Sequence, residues 1–365
     1  MKLLVSAVEP SSNKYLKQIA THLSDTKLIG LGDKNIIKQT LYPVEDFSIM
    51  GIASVLPKIF FLKRAIDEMV ELSKDAKAVL LIDAPSFNLK IAKKIKQKYP
   101  DKPIFYYILP KIWAWKKSRI ELVEKYTDYH ISILPFEHKF YPNALYFGNP
   151  LFDEYTKTNI DFSKNKYIAF LPGSRKSEIK SLLPIFKKMA KKINASFDNT
   201  KALLVIPDIF DTSYVDATYG NLKDFEIISD TKKAMSLSKF AFVCAGTATL
   251  EASLFGVPFT LCYTPRGIDW AIYFLFFKIL DSSGLGKMGN VGLANIIAHF
   301  ENKKPIHKEA FPIVDEDILW DIYDNFDYKE HYNNIDTLRE IMNKRNNKKT
   351  NSLKQIANFI LDKTL

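Results

Sequence analysis

Cysteine is nearly absent: Cys244 and Cys262 are the only two in 365 residues. Both sit inside apolar strand-like runs, which fits small core residues in a reducing compartment and excludes a disulfide-stapled fold. Histidine is sparse too. His22, His130, His138, His299, His307 and His331 are scattered without metal-site spacing, so no metal is expected. Long apolar runs are also missing. The most hydrophobic window, Trp270 to Leu280, falls far short of the ~20 residues that span a bilayer. The run Lys2 to Val8 meets Glu9 and Pro10 before it can form a signal peptide's apolar region, so it reads as a first strand. The expected location is the cytoplasm, with attachment to a membrane surface left open. No solenoid-period repeat is present, and low complexity is confined to the polar segment Asn343 to Asn351.

Acidic residues are in deficit, 41 against 52 Lys and Arg, for a formal charge of +11. That balance points to an anionic partner: nucleic acid, an acidic lipid surface or a phosphorylated small molecule. No basic run carries the aromatic spacing of an RNA-binding sheet. The densest clusters, Lys187-Lys188, Lys191-Lys192 and Lys344 to Lys349, read as solvated helix faces or tail, so no nucleic acid is expected.

Apolar runs alternate with helical patterns along most of the chain. Leu3–Val8, Ala78–Ile82, Ile104–Leu109, His130–Leu134 and Leu145–Phe147 lie in the first half, and Tyr167–Leu171, Ala202–Ile206, Phe225–Ile228, Phe240–Cys244 and Phe259–Cys262 in the second. Continuous apolar strands separated by helices predict parallel sheets covered on both faces, hence two doubly wound α/β domains. The expected division is residues 1–160, 161–335 and a C-terminal helical segment 336–365 that packs back on a domain, with the polar stretch Asn149 to Asn165 as linker. Ligands of such sheets collect beyond the strands' carboxyl ends, and two domains facing across a cleft would hold a nucleotide and an acceptor.

Phe170-Leu171-Pro172-Gly173-Ser174-Arg175 joins a strand to a segment of helical spacing, Glu178 to Ile193. A strand feeding a Gly-Ser turn into a helix aims free N–H groups at one spot, and Arg175 adds a cation, which suits a phosphate. The unit recurs. Phe240 to Cys244 runs into Ala245-Gly246-Thr247-Ala248-Thr249-Leu250-Glu251, placing Glu251 about one turn into the next helix. Two such units fit the two ends of a nucleotide diphosphate.

On the first domain, Asp83 ends the run Ala78–Ile82 beside Pro85, where a carboxylate can take a proton from a hydroxyl or cap the following helix. Glu9 holds the equivalent edge of the first strand. Trp113 and Trp115, flanked by Lys111 and Lys116, can cradle a sugar face or anchor a core. Asp315-Glu316-Asp317, the one Asp-x-Asp triplet, reads as a helix N-terminus rather than a metal clamp. Trp270, Phe274 and Phe277 belong to a segment apolar on every side, which reads as a buried helix or a surface that dips into lipid.

Taken in order, Met50-Gly51-Ile52 with Val55-Leu56, Ile82-Asp83-Ala84-Pro85-x-Phe87-Asn88, Trp113-Ala114-Trp115, Leu134-Pro135-Phe136-Glu137, Leu171-Pro172-Gly173-Ser174-Arg175-x-x-Glu178, Gly246-Thr247-Ala248-x-Leu250-Glu251 and Leu293-Ala294-Asn295 resemble the lipid-A-disaccharide synthase family, from residue 1 to about 300. The resemblance implies two Rossmann-like domains of GT-B architecture and an inverting, metal-independent transferase of Gram-negative bacteria that needs no cofactor. Such an enzyme moves diacylglucosamine from UDP-diacylglucosamine to the 6-hydroxyl of diacylglucosamine 1-phosphate, at the cytoplasmic membrane surface. It makes Asp83 the proposed base and Glu9 the acid of the first loop. Arg175, Glu251 and Asn295, with Gly173, Ser174, Gly246, Thr247 and Ala248, become the donor site. Trp113, Trp115, Trp270, Phe274 and Phe277 fall to the acceptor or membrane side. Where the family reads Gly-Glu-x-Ser-Gly-Asp, this chain has Val8-Glu9-Pro10-Ser11-Ser12-Asn13. Leu109-Pro110-Lys111 replaces a usual Ser-Pro-Ser, Ser86 a common Asp, and Asn149 a frequent His. The alternatives are a UDP-sugar 2-epimerase of the same architecture, or an inactive lipid-binding homologue. The sequence leaves open whether the chain forms a homo-oligomer.

Overall fold

The computed structural model describes residues 1–48, 55–113, 117–155, 160–265, 291–343 and 351–364. It contains two compact units, Met1–Asp153 with Met342–Leu365, and Glu154–Ile341.

The first unit is a parallel sheet in the order β3-β2-β1-β4-β5-β6-β7. Its strands are β1 (Lys2–Ser6), β2 (Lys27–Leu31), β3 (Gln39–Thr40), β4 (Ala78–Ile82), β5 (Ile104–Tyr107), β6 (Tyr129–Ser132) and β7 (Ala144–Tyr146). The helices are α1 (Pro10–Ala20), α2 (Glu45–Ser48), α3 (Val55–Leu72), α4 (Pro85–Lys98), α5 (Arg119–Tyr126) and α6 (Pro150–Glu154), whose last residue belongs to the second unit. β4 and β5 carry no charged residue and are buried at every position because both faces are covered. Leu4, Val79, Leu81 and Tyr106 point into one core, and the alternate residues Leu3, Val5, Leu80, Ile82, Phe105 and Tyr107 into the other.

The second unit has the order β10-β9-β8-β11-β12-β13. Its strands are β8 (Tyr167–Leu171), β9 (Lys201–Val205), β10 (Glu226–Ile228), β11 (Ser238–Cys244), β12 (Phe259–Cys262) and β13 (Glu309–Ala310). Here the helices are α7 (Lys176–Ser196), α8 (Thr212–Tyr219), α9 (Thr231–Leu237), α10 (Thr247–Phe255), α11 (Leu293–Phe300), α12 (Glu316–Asp324) and α13 (Tyr328–Asn343), whose last residues belong to the first unit. Phe170, Phe186 and Phe242 fill its core, with Phe170 and Phe242 stacked at 5.2 Å. Both cysteines are buried and free. Asp315 accepts from the Ile318 N–H at 2.8 Å, the helix N-cap that the triplet implied.

The last helix, α14 (Ser352–Asp362), packs on the first unit. Asn351 caps it by accepting from the Leu353 and Lys354 N–H groups. Leu353, Ile356, Ala357 and Ile360, at helical spacing, bury against the core that holds Leu3 and Phe105. The stretch read as a linker is partly structured: Asn149 accepts from the Leu151 N–H at 2.9 Å at the start of α6.

Candidate active site

In each sheet the strand order reverses at one place, between β1 and β4 and between β8 and β11. Loops leaving these neighbours diverge and open a crevice at their carboxyl ends. The candidate residues Glu9 and Asp83 follow β1 and β4, while Gly173 and Gly246 follow β8 and β11.

Asp83 and Ala84 both have left-handed backbones, with φ of 53° and 45°. For residues with a side chain this costs about 1–2 kcal/mol each, and a dense set of hydrogen bonds holds it. The Asp83 N–H donates to Tyr107 O at 2.9 Å. Its carbonyl accepts from Tyr106 Oη at 2.7 Å and from Asn88 Nδ2 at 2.8 Å. Ser6 in turn fixes Asn88 at 2.6 Å. The carboxylate therefore leaves the strand in a set direction. Asp83 Oδ1 accepts from the Ala84 N–H at 2.8 Å, and the N-cap position of α4 is Ala84, so Asp83 is not an ordinary helix cap. Burial raises the Asp83 pKa, against the pull of Lys111 and of the Ala84 N–H.

Glu9 stands at the N-cap of α1 without a side-chain cap bond. Its pKa is raised first by burial and then by Asp83, with Lys111 opposing. The two carboxyls thus share one electrostatic neighbourhood. Asn13 braces the loop, donating from Nδ2 to Ala7 O at 2.7 Å and Glu9 O at 3.0 Å while Oδ1 accepts from the Asp33 N–H at 2.7 Å. An aspartate could not make the two donations, so the asparagine braces this loop without adding charge to it.

Trp113 is 6% exposed and its indole N–H donates to Glu137 Oε1 at 3.3 Å. Glu137 also accepts from Ser132 at 2.6 Å. Together they brace the loop after β5. Trp115, Trp270, Phe274 and Phe277 lie outside the described residues, as does Met50-Gly51-Ile52. Burial pushes the Glu137 pKa up to about 7. Folded protein therefore binds this proton more tightly than unfolded chain, and stability falls as pH rises from the ordinary glutamate value toward 7. Glu137→Gln should remove that slope: from pH 5 to 8 the variant should gain on the order of 1–3 kcal/mol relative to wild type. Denaturant unfolding at the two pH values checks it, and parallel pH profiles would sink the idea.

In the second unit the two glycine turns line one cavity of about 320 Å³. Gly173, Ser174 and Arg175 face Gly246, Thr247, Ala248 and Glu251 across it, with Thr231 and Pro207 alongside. Gly173 has φ +93°, and a Cβ there would stand 2.4 Å from Glu178 Oε2, so both backbone and space demand glycine. Glu178 accepts from the Arg175 N–H at 3.2 Å and from Arg175 Nη1 at 2.7 Å. The Arg175 side chain stays 80% exposed, with its guanidinium steered beside the turn. Across the cavity Gly246 caps α10 without a side chain; the Thr249 N–H turns back to Gly246 O at 3.2 Å, and the Thr247 and Ala248 N–H groups ahead of it have no intrahelical acceptor.

Glu251 is oriented by the buried Tyr155 phenol, which donates to it. Arg339 ties this corner together, donating to Tyr155 O at 3.0 Å and Leu254 O at 2.7 Å. Tyr155, Arg339 and Thr231 escaped the sequence reading because no motif spacing links them to Glu251. Asn295 is not in the cavity lining. It is 1% exposed, donating to His307 O at 2.9 Å and Glu309 Oε1 at 2.7 Å and accepting from the Ile306 and His307 N–H groups. Its amide organises the entry to β13. Among the described residues no cluster of three His, Cys, Asp or Glu could hold a metal ion.

A family model described as lipid-A-disaccharide synthetase matches residues 3–360. Lipid-A-disaccharide synthase of Campylobacter jejuni (strain RM1221) is 39% identical over 361 residues, covering 93% of this chain and 95% of its own. The Helicobacter pylori (strain Shi470) enzyme is 39% identical over 378 residues, covering 99% of each chain. In fold the chain is similar to UDP-GlcNAc 2-epimerase from Neisseria meningitidis bound to UDP-GlcNAc, with a TM-score of 0.59 at 13% identity over 99% of this chain and 100% of that one.

Proposed function

The chain belongs to the lipid-A-disaccharide synthetase family, and from that membership we propose the chemistry of each unit. The protein is a glycosyltransferase that forms the lipid A disaccharide from a UDP-sugar donor and a lipid acceptor. The donor is UDP-diacylglucosamine and the acceptor diacylglucosamine 1-phosphate. The 6-hydroxyl of the acceptor attacks the anomeric carbon of the donor sugar in line, and Asp83 takes the hydroxyl proton. The new C–O bond forms as the bond to UDP breaks, and UDP leaves with the electron pair, which inverts the anomeric centre. Arg175 and the N–H groups of the two glycine turns meet the charge that develops on the departing diphosphate. Glu251, held by Tyr155, accepts from nucleotide or sugar hydroxyls.

The observation that carries this reading is the single cavity bounded by two glycine turns, one exposed guanidinium and one oriented carboxylate. The decisive experiment is a UDP-release assay with each substrate alone and with both. UDP is expected only when donor and lipid acceptor are present together. Equal turnover of plain UDP-N-acetylglucosamine with inversion at C2 would replace this reading with the epimerase.

We further propose peripheral attachment to the cytoplasmic face of the inner membrane. No helix among the described residues is long and apolar enough to cross a membrane. On α3, Ile59 and Phe60 are 54% and 70% exposed, and exposed Lys63 and Arg64 follow. Burying two such side chains contributes about 1.5–3 kcal/mol each, and cations near anionic lipid add about 1 kcal/mol each. Ile59→Ser/Phe60→Ser should therefore weaken co-sedimentation with anionic vesicles at least about tenfold at unchanged melting temperature. Sedimentation equal to wild type would move the contact elsewhere.

A further inference from the structure

The acceptor brings a phosphate dianion to a crevice edge that already holds Glu9 and Asp83, so some cation must compensate it. Lys111 is placed to do so. It follows β5, whose Tyr107 pairs with Ile82 of β4, so its loop leaves the sheet beside the Asp83 loop. That loop is fixed on both sides of the lysine: Tyr141 Oη donates to Pro110 O at 2.8 Å, and Trp113 donates to Glu137. Leu109, Ile112 and Trp113 are buried, while Lys111 is exposed. Its ammonium makes neither an ion pair nor a hydrogen bond with any described residue, yet it acts on Glu9, Asp83 and Glu137 alike. Another cation of this edge, Arg119, is already engaged, donating to Ser86 Oγ at 2.8 Å.

We propose that Lys111 receives the phosphate of the acceptor, holding that end of the sugar on the braced loop after β5 while the hydroxyl end meets Asp83. This rests on the reading of the first unit as the acceptor side. Lys111 is then the determinant that selects a phosphorylated over a neutral acceptor. A lysine suits the task because a compact ammonium on a long stem can reach a phosphate oxygen without leaving its rigid loop.

The test is calorimetric titration of the full chain, without donor, using a short-chain diacylglucosamine 1-phosphate and the same sugar lacking its phosphate. Steady-state turnover is measured in parallel. Lys111→Gln should weaken binding of the phosphorylated sugar, and raise its KM, at least about tenfold. Donor KM, kcat and binding of the neutral sugar should change less than about threefold, and Lys111→Arg should restore most of the preference. Three results would overturn the assignment: an unchanged KM, an equal loss for both sugars, or a loss confined to Arg119→Gln, which would move the phosphate to the start of α4. Because the titration needs no turnover, a wild type that binds the phosphorylated sugar through Lys111 but releases no UDP would sink the transferase reading alone.

Discussion

Asp83→Asn is expected to lower kcat by about 10²–10⁴, the usual worth of a positioned general base, while UDP affinity stays within twofold of wild type. The amide keeps the shape and can still accept from the Ala84 N–H, but it cannot take a proton. The fold should not suffer. Burial raises the Asp83 pKa, so the folded state binds this proton more tightly than the unfolded chain, and the ionised side chain lowers stability once pH exceeds the raised value. At neutral pH the variant should therefore melt no lower than wild type. The same shift sets the acid limb of the wild-type pH–rate profile: activity should rise with pH through the raised pKa as the base becomes free. Turnover within a few-fold of wild type in Asp83→Asn would shift the base assignment to Glu9.

Arg175→Ala is expected to cost donor turnover about 10- to 150-fold, from the roughly 1.5–3 kcal/mol of a hydrogen bond to a charged group. Most of the loss should fall on kcat rather than on UDP affinity, because charge on the diphosphate grows as the bond to the sugar breaks. Stability should change little. The Arg175–Glu178 pair is largely exposed on the arginine side, and such pairs contribute about 0–1 kcal/mol. Gly173→Val should damage the same site by a different route, since its Cβ collides with Glu178 and its backbone disfavours φ +93°. Wild-type UDP affinity in both Arg175→Ala and Glu251→Ala, read by calorimetry, would place the nucleotide elsewhere.

The strand runs Ala78–Ile82, Tyr167–Leu171 and Phe259–Cys262 match the structure residue for residue, because strands buried on both faces carry an unbroken apolar signal. Three strands escaped. β3 and β13 are two residues long, and β2 mixes Lys27 and Gly30 into its pattern, so none presents a run that stands out from loop. The helix after Arg175 is longer at both ends than its apolar spacing suggested, since its first and last turns are polar and solvent-facing.

What the sequence by itself determined is therefore the repeated strand–turn–helix pattern, the parallel sheets it requires, and the identity of the residues at the turns. Local spacing sufficed, because each turn and its helix are contiguous in the chain. Only the tertiary structure decided which turns stand together. Sheet order sets β1 beside β4 and β8 beside β11, and so brings Glu9 to Asp83 and Gly173 to Gly246 across long stretches of chain. It also decided that Asn295 spends its amide on the backbone before β13, that Tyr155 orients Glu251, and that Lys111 is left unengaged. Those outcomes depend on hydrogen-bond partners and burial supplied by elements distant in the chain, which no local pattern of residues encodes.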